Sequence, residues 1–149
     1  MTSNKQFCTF YLGDLFMGVD VLQVQEVIRY QEMTPVPLAP DTIEGLINLR
    51  GQIVTAIDLR RRVGLPEREE DQELPTNIVL TTDDGAPVSL LVDEVGDVLE
   101  IDEDLFEMPP ENLVESAREM VRGVFKLEDN LMLQIDPVKV MAISGGNDV

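Results

Sequence analysis

The 149-residue sequence, 44% apolar and 27% charged, has the length and composition of one soluble globular domain that buries roughly 70% of its unfolded surface. Its formal net charge of −18 repels phosphate backbones and anionic lipid head groups, so nucleic acid and membrane surfaces are poor partners. Histidine is absent, which removes imidazole as general base, metal ligand or phosphoacceptor and weighs against most enzyme classes.

The single cysteine, Cys8, lies in an apolar segment and reads as a buried, inert thiol. It permits no intramolecular disulfide, which suits a reducing compartment. Residues 1–6 lack the apolar core of a signal peptide, and no apolar run approaches the ~20 residues that span a bilayer. A cytosolic protein is expected.

In chain order, Phe7 to Leu12 is rich in strand formers, Gly13-Asp14 is a compact turn, and Leu15 to Val19 resumes as a strand, an opening β-hairpin. Asp20 then heads Val21 to Ile28, whose apolar spacing fits either a short helix or a strand. Met33 to Pro40 carries prolines at 35, 37 and 40, so it is extended or turning and at most an edge strand. Asp41 to Glu44 fits one capped turn.

Gly45 to Arg62 organises the rest. Leu46 to Leu49 and Ile53 to Ile57 read as two buried strands with a tight link at Arg50-Gly51. Asp58 is the N-cap of a one- to two-turn helix that Gly64 ends. A guanidinium cannot be buried alone, so Arg50 must find a carboxylate, for which Glu26 is best placed, or point into water.

Pro66 to Glu73 is a dense acidic block of the kind that forms solvated loops. Ile78 to Leu80 and Val88 to Val92 make a second hairpin about Asp83-Asp84-Gly85. Val95 and Val98 to Ile101 continue extended, with Gly96-Asp97 as a bend. Asp102-Glu103-Asp104 with Glu107 is a second acidic cluster, but its spacing is not that of a calcium-binding loop and no metal site is expected. Pro109-Pro110 interrupts, and Leu113 to Met120 is a helical turn or irregular. Met120 to Leu127 and Leu131 to Ile135 form a third hairpin about Glu128-Asp129-Asn130. Asp136 caps a short helix, Val138 to Met141, with Pro137 in its favoured first position. Ser144 to Val149 reads as a frayed tail.

A weak internal repeat emerges. Leu49-Arg50-Gly51 leads through a strand to Ile57-Asp58 and a short basic helix, and Val121-Arg122-Gly123 leads through a hairpin to Ile135-Asp136 and a helix containing Lys139. Two related β-subunits in one chain fit this, since a small barrel needs a neighbour to bury its second face. Many short strands, frequent turns and few helices predict an all-β barrel architecture.

Chemistry-bearing motifs are lacking: there is no phosphate loop, dinucleotide fingerprint, zinc spacing or nucleophile elbow. Ser89 has no histidine to activate it, and the pairs Asp93-Glu94 and Glu69-Glu70 have no assignable apolar pocket. A carboxylate-based metal-binding enzyme is the rival reading from another class.

The elements Phe10-Tyr11-Leu12-Gly13, Gly18-Val19-Asp20, Val24-Gln25-Glu26-Val27, Gly45 to Gly51 continuing to Ile57-Asp58-Leu59-Arg60, and Val92-Asp93 with Val95 and Asp97-Val98-Leu99 stand in one register. On these residues the sequence resembles the CheW family of chemotaxis coupling proteins, roughly from Phe7 to Met141. The resemblance implies two interleaved five-stranded, SH3-like β-barrel subdomains with a few short helices, forming one CheW-like domain over residues 6–143 between flexible termini, 1–5 and 144–149. It implies a cytoplasmic adaptor, monomeric when isolated, that has no catalytic activity, no cofactor and no metal. Its expected partners are a CheA-type histidine kinase regulatory domain and the cytoplasmic tip of methyl-accepting chemoreceptors. By matching position, Val24, Glu26, Gly45, Arg50 and Val98 are receptor-binding candidates, and Val27, Tyr30, Thr34, Phe106 and Glu107 are kinase-binding candidates. An adaptor of a related pathway, such as type IV pilus motility or surface sensing, is the alternative within the family. The family often carries an apolar residue where Asn77 opens a strand.

Overall fold

The computed structural model describes residues 4–66, 68–69, 73–82 and 86–144. Parts of the acidic block (67 and 70–72), the turn expected at Asp83-Asp84-Gly85 and most of the expected tail (145–149) lie outside the described residues.

The opening hairpin forms as the residues dictate: β1 (Asn4–Leu12) and β2 (Leu15–Asp20) meet at a turn where Gly13 takes φ 55°. The ambiguous stretch divides. Asp20 accepts a 2.9 Å hydrogen bond from the Leu22 N–H and caps a 3₁₀ turn, Val21–Gln23, after which Val24–Ile28 becomes β3. The next hairpin is β4 (Ile43–Leu49) and β5 (Gln52–Asp58). β4 begins inside the stretch expected as a capped turn: the Ile43 N–H closes that turn on the Pro40 carbonyl at 2.9 Å, yet Ile43 already pairs with Ile57. Asp58 caps α1 (Leu59–Val63) through the Arg60 N–H, and Gly64 ends it. Then follow β6 (Thr76–Thr81), β7 (Pro87–Val92), β8 (Glu94–Asp102), β9 (Phe106–Glu107), α2 (Glu115–Arg118), β10 (Val121–Lys126), β11 (Leu131–Ile135) and α3 (Pro137–Ser144).

Two expectations take a definite form here. β8 is one continuous strand, and the bend expected at Gly96-Asp97 is a β-bulge within it: Cys8 pairs with Val98 and Phe10 with Val95, so two residues of β8 face Thr9 alone. Thr9 donates its hydroxyl to the Asp97 carbonyl at 2.5 Å. The acidic run at 102–104 is a helix cap, Asp102 accepting from the Asp104 N–H at 2.9 Å ahead of a 3₁₀ turn. No cluster of three or more metal-ligating side chains occurs among the described residues.

The strands form two sheets, ordered β8-β1-β2-β11-β10-β9 and β3-β6-β7-β5-β4. Each contains one parallel pair, β2 with β11 and β5 with β7, in otherwise antiparallel company. Each curls so that its outer strands share a small interior: Phe7, Phe16, Ile101, Phe125 and Met132 in one, Ile47, Val54, Ala56 and Val79 with Ile28 in the other. The two orders superpose one to one if the second barrel gains a sixth segment at Thr34, whose bridge to Leu46 mirrors the pairing of Glu107 with Val124. Gly45 then matches Gly123, each following a one-residue irregularity, and Asp58 matches Asp136. This corrects the repeat read from the sequence. Arg122 sits at the irregularity, where Glu44 is in the other barrel, and the true counterpart of the Arg50-Gly51 turn is Glu128-Asp129.

Both glycines answer a close approach. A Cβ on Gly45 would lie 2.8 Å from the Thr34 carbonyl oxygen and 2.9 Å from the Met33 Cβ, and one on Gly123 would meet the Phe106 ring. The largest core lies between the barrels: Phe10, Leu12, Met17 and Val19 pack with Ile57, Leu59, Leu80, Leu90, Met120 and Ile135. Strands buried on both faces explain why Phe7 to Leu12 alternates only weakly. At its margin α1 meets α2, with the Ser116 hydroxyl donating to the Val63 carbonyl at 2.9 Å and the buried Arg62 4.0 Å from Glu119. A second tie is Asp93, just after β7, which accepts from the Gly13 N–H at 2.7 Å and from Arg68 at 2.6 Å, and pairs with Arg60.

Gly45→Ala should lower stability by about 1–3 kcal/mol, the usual cost of overpacking, because backbone rather than a flexible side chain must move; the urea midpoint measures it. Burial pushes the Asp93 carboxyl up, but the Gly13 N–H, Arg68 and Arg60 hold it below the usual carboxylate value. The clamp's stabilisation is therefore present above the unfolded pKa of about 3.9 and lost as pH falls through the folded value. Asp93→Asn should cost about 1–3 kcal/mol at pH 7 and show a smaller further loss between pH 5 and pH 3 than the wild type, by urea unfolding at each pH.

Candidate functional site

Arg50 and Gly51 are the two central residues of the β4–β5 turn, with φ 53° and 87°, and Asn48 steadies the turn by accepting the Gly51 N–H at 2.9 Å. Two positive φ values make the mirror-image turn that suits hairpin twist, a place where asparagine or glycine is at ease and arginine is not. Holding a non-glycine residue there costs on the order of 1–2 kcal/mol. The Arg50 guanidinium crosses to β3 and pairs with Glu26, whose carboxyl it holds below the usual range. The arginine side chain remains 67% exposed, and exposed pairs of this kind contribute little to stability. The strained turn thus carries a solvent-facing cation that adds little to stability.

The pair also joins the ends of a sheet. β3 and β4 are the outer strands of the second barrel, so Glu26–Arg50 and the Thr34–Leu46 bridge (2.8 and 2.9 Å) together draw its edges into a closed wall. Val24, Glu26 and Val27 follow one another along β3. Val24 packs against the inter-barrel core, whereas Val27 is 43% exposed. Gly45 is buried beneath Met33 and Thr34, so a receptor candidate and a kinase candidate, Gly45 and Thr34, touch each other. Tyr30 lies just past the end of β3.

The remaining candidates sit on the other sheet. Val98, 57% exposed, pairs with Cys8 in the same relation as Val27 with Ile78, so the two exposed valines hold equivalent places in the two barrels. Phe106 lies edge-on to Phe125 with ring centres 5.4 Å apart, and Glu107 pairs with Lys126 at 3.5 Å. The structure thus brings Glu26 and Arg50 together and gathers Val24, Val27, Gly45 and Thr34 around the closing seam of one barrel. Phe106 and Glu107 occupy the corresponding seam of the other.

Sequence reasoning missed the left-handed conformation of Arg50, the Asp93 tie, and the network around Asn77, where the Ser89 hydroxyl donates to the Asn77 side-chain oxygen at 2.7 Å. An Arg-Gly dipeptide between two strands was the signal for the first; the others join distant segments and leave no local trace. Ser89 is wholly buried and committed to an amide, not to a base. The cleft of about 530 Å³ at Tyr11, Gly13, Arg68 and Asp93 has its arginine bound to Asp93, which leaves it a structural junction.

Comparison with known proteins agrees with this architecture. The model of the CheW-like domain matches residues 6–144. The chain is 32% identical to a chemotaxis protein CheW of Klebsiella aerogenes over 141 residues, 95% of this chain and 84% of that protein. It is 31% identical to a chemotaxis protein CheW of Bacillus subtilis over 139 residues, 93% of this chain and 88% of that protein. The crystal structure of the scaffolding protein TtCheW from Thermoanaerobacter tengcongensis aligns with a TM-score of 0.79 at 32% identity, covering 90% of each chain. With the paired barrels, the closing seams and a match along nearly its whole length, the chain belongs to the CheW-like family.

Proposed function

We propose that the protein is a chemotaxis adaptor that couples methyl-accepting chemoreceptors to a CheA-type histidine kinase, acting in the cytoplasm without catalysis or cofactor. The observation that carries the reading is the Glu26–Arg50 pair, a solvent-facing guanidinium held in a strained turn at the seam of a barrel. The relatives are chemotaxis proteins, and the similar structure is that of a scaffolding protein. No helix among the described residues is long and apolar enough to cross a membrane.

In this reading an amphipathic receptor helix lays its apolar face beside Val24 and Val98, with the Glu26–Arg50 pair at the rim. Gly45 contributes indirectly, by letting Met33 and Thr34 approach and set the wall that the helix meets. Val27, Tyr30 and Thr34 form one kinase-facing patch, and Phe106 with Glu107 forms a second. The adaptor is a monomer when isolated, and each contact is small, at or below the ~1,200–2,000 Å² of stable interfaces. Signalling strength then comes from multivalent assembly, where linked weak contacts gain from effective concentration.

A pull-down with a CheA regulatory domain and a receptor signalling fragment tests the whole reading, and failure of the folded protein to bind either sinks it. Arg50→Glu should weaken receptor coupling by about ten-fold or more, as expected of an interface arginine, while the melting temperature stays near that of the wild type. Adding Glu26→Arg should restore part of the coupling. An Arg50→Glu protein that unfolds would make the arginine structural.

A further inference from the structure

Asn77 is wholly buried at a position where the other barrel uses an apolar side chain. The two sheets superpose so that Ala56 and Ser89 match Gln134 and Gly18, and the pair Ile28–Asn77 matches Leu99–Phe7. Phe7 there is fully buried in an apolar interior. The same fold therefore closes with a hydrophobic residue at this site, and the polar pair Asn77–Ser89 is not demanded by the barrel.

What the amide does is fixed by its second bond. Its Nδ2 donates to the carbonyl of Arg29 at 3.3 Å, while its Oδ1 accepts from the Ser89 hydroxyl at 2.7 Å. In the first barrel the residue matching Arg29 is Glu100, which stays inside β8 and pairs with Gln6. In the second barrel the β3–β6 ladder stops at Ile28–Asn77, one residue short of Arg29. The Asn77 side chain replaces the missing strand partner, and the wholly buried Ser89 keeps the amide from turning over.

We propose that Asn77 is the positioning residue of the partner-binding strand: held by Ser89, its buried amide fixes the point at which β3 leaves the sheet and so sets where Glu26, Val27 and Tyr30 stand. This rests on β3 being the binding strand of the adaptor. Four residues after Arg29 the chain reaches Met33 and then the Thr34 bridge that closes the wall over Gly45, so an error at the exit is passed to the seam. Asn77 touches no partner itself and acts through the backbone.

Amide hydrogen exchange on the full-length chain, with no partner present, tests this in Asn77→Leu and Ser89→Ala. The Thr34 and Leu46 amides, which bond across the seam, should exchange about ten-fold faster in both variants, while amides in the other barrel, such as those of Phe125 and Met132, keep wild-type protection. Binding to the CheA regulatory domain should weaken by about ten-fold in the same variants, as for a displaced contact strand. Wild-type exchange at Thr34 and Leu46, or a uniform rise over both barrels, overturns the assignment. If Asn77→Leu does not fold, Ser89→Ala decides by the same readout. If the wild-type chain fails to bind the kinase domain, the adaptor reading falls, and the exchange pattern still judges Asn77.

Discussion

The structure depends on an apolar layer that neither barrel owns. Among the described residues the inter-barrel core holds twenty buried side chains, against five and four in the two barrel interiors. At about 1.5–3 kcal/mol for each large aliphatic side chain removed from water, the shared layer outweighs both interiors together. Interiors of that size rarely sustain a domain alone. Each barrel is thus the other's solvent shield, and the polar ties at Asp93 and between α1 and α2 add a smaller contribution at the margin of that layer.

That arrangement decides where recognition can occur. With one face of each barrel spent on its neighbour, what remains is the outer wall and the seam where edge strands come together. The seams carry the features that packing does not explain: a left-handed arginine with its carboxylate partner, two exposed valines in matching places, and two glycines overridden by a crossing segment. Because the barrels are copies of one plan, each seam offers a partner the same geometry with different side chains. Thr34 stands where Glu107 stands, and Glu26 stands where Asp97 stands. On the proposed adaptor reading, two partners would be told apart by chemistry on a common frame.

What was legible in the sequence was local. The Gly13-Asp14 hairpin, the Asp58 and Asp136 caps and the Arg50-Gly51 link are each decided by residues within four positions of one another, and each appears as read. The failures share a cause. The bend expected at Gly96-Asp97 is a β-bulge whose partner, Thr9, lies across the ladder and far off in the sequence, and the repeat was misaligned because an Arg-Gly pair marks a turn in one barrel and an interior irregularity in the other. The pairing of Glu26 with Arg50 was legible, since an arginine at a strand end needs a carboxylate. Asn77 was visible only as a departure from the family, and its meaning required three segments to be seen at once.

The interleaving of the strands also orders events during synthesis. Every strand of the second barrel lies between Val24 and Val92, so that barrel is complete in one uninterrupted length of chain. The first barrel is split: β1 and β2 precede the whole second barrel, and their partners β8 and β11 follow it. At the ribosome, where chains grow at about 5–20 residues per second, the hairpin bearing Phe7, Phe10 and Phe16 waits for several seconds without its sheet. The second-barrel chain made in that interval already carries Ile57, Leu59, Leu80 and Leu90, the side chains that pack with Phe10 and Leu12 in the shared layer. The shared layer that stabilises the folded protein thus also joins the hairpin that waits longest for its own sheet to the strands made in the meantime.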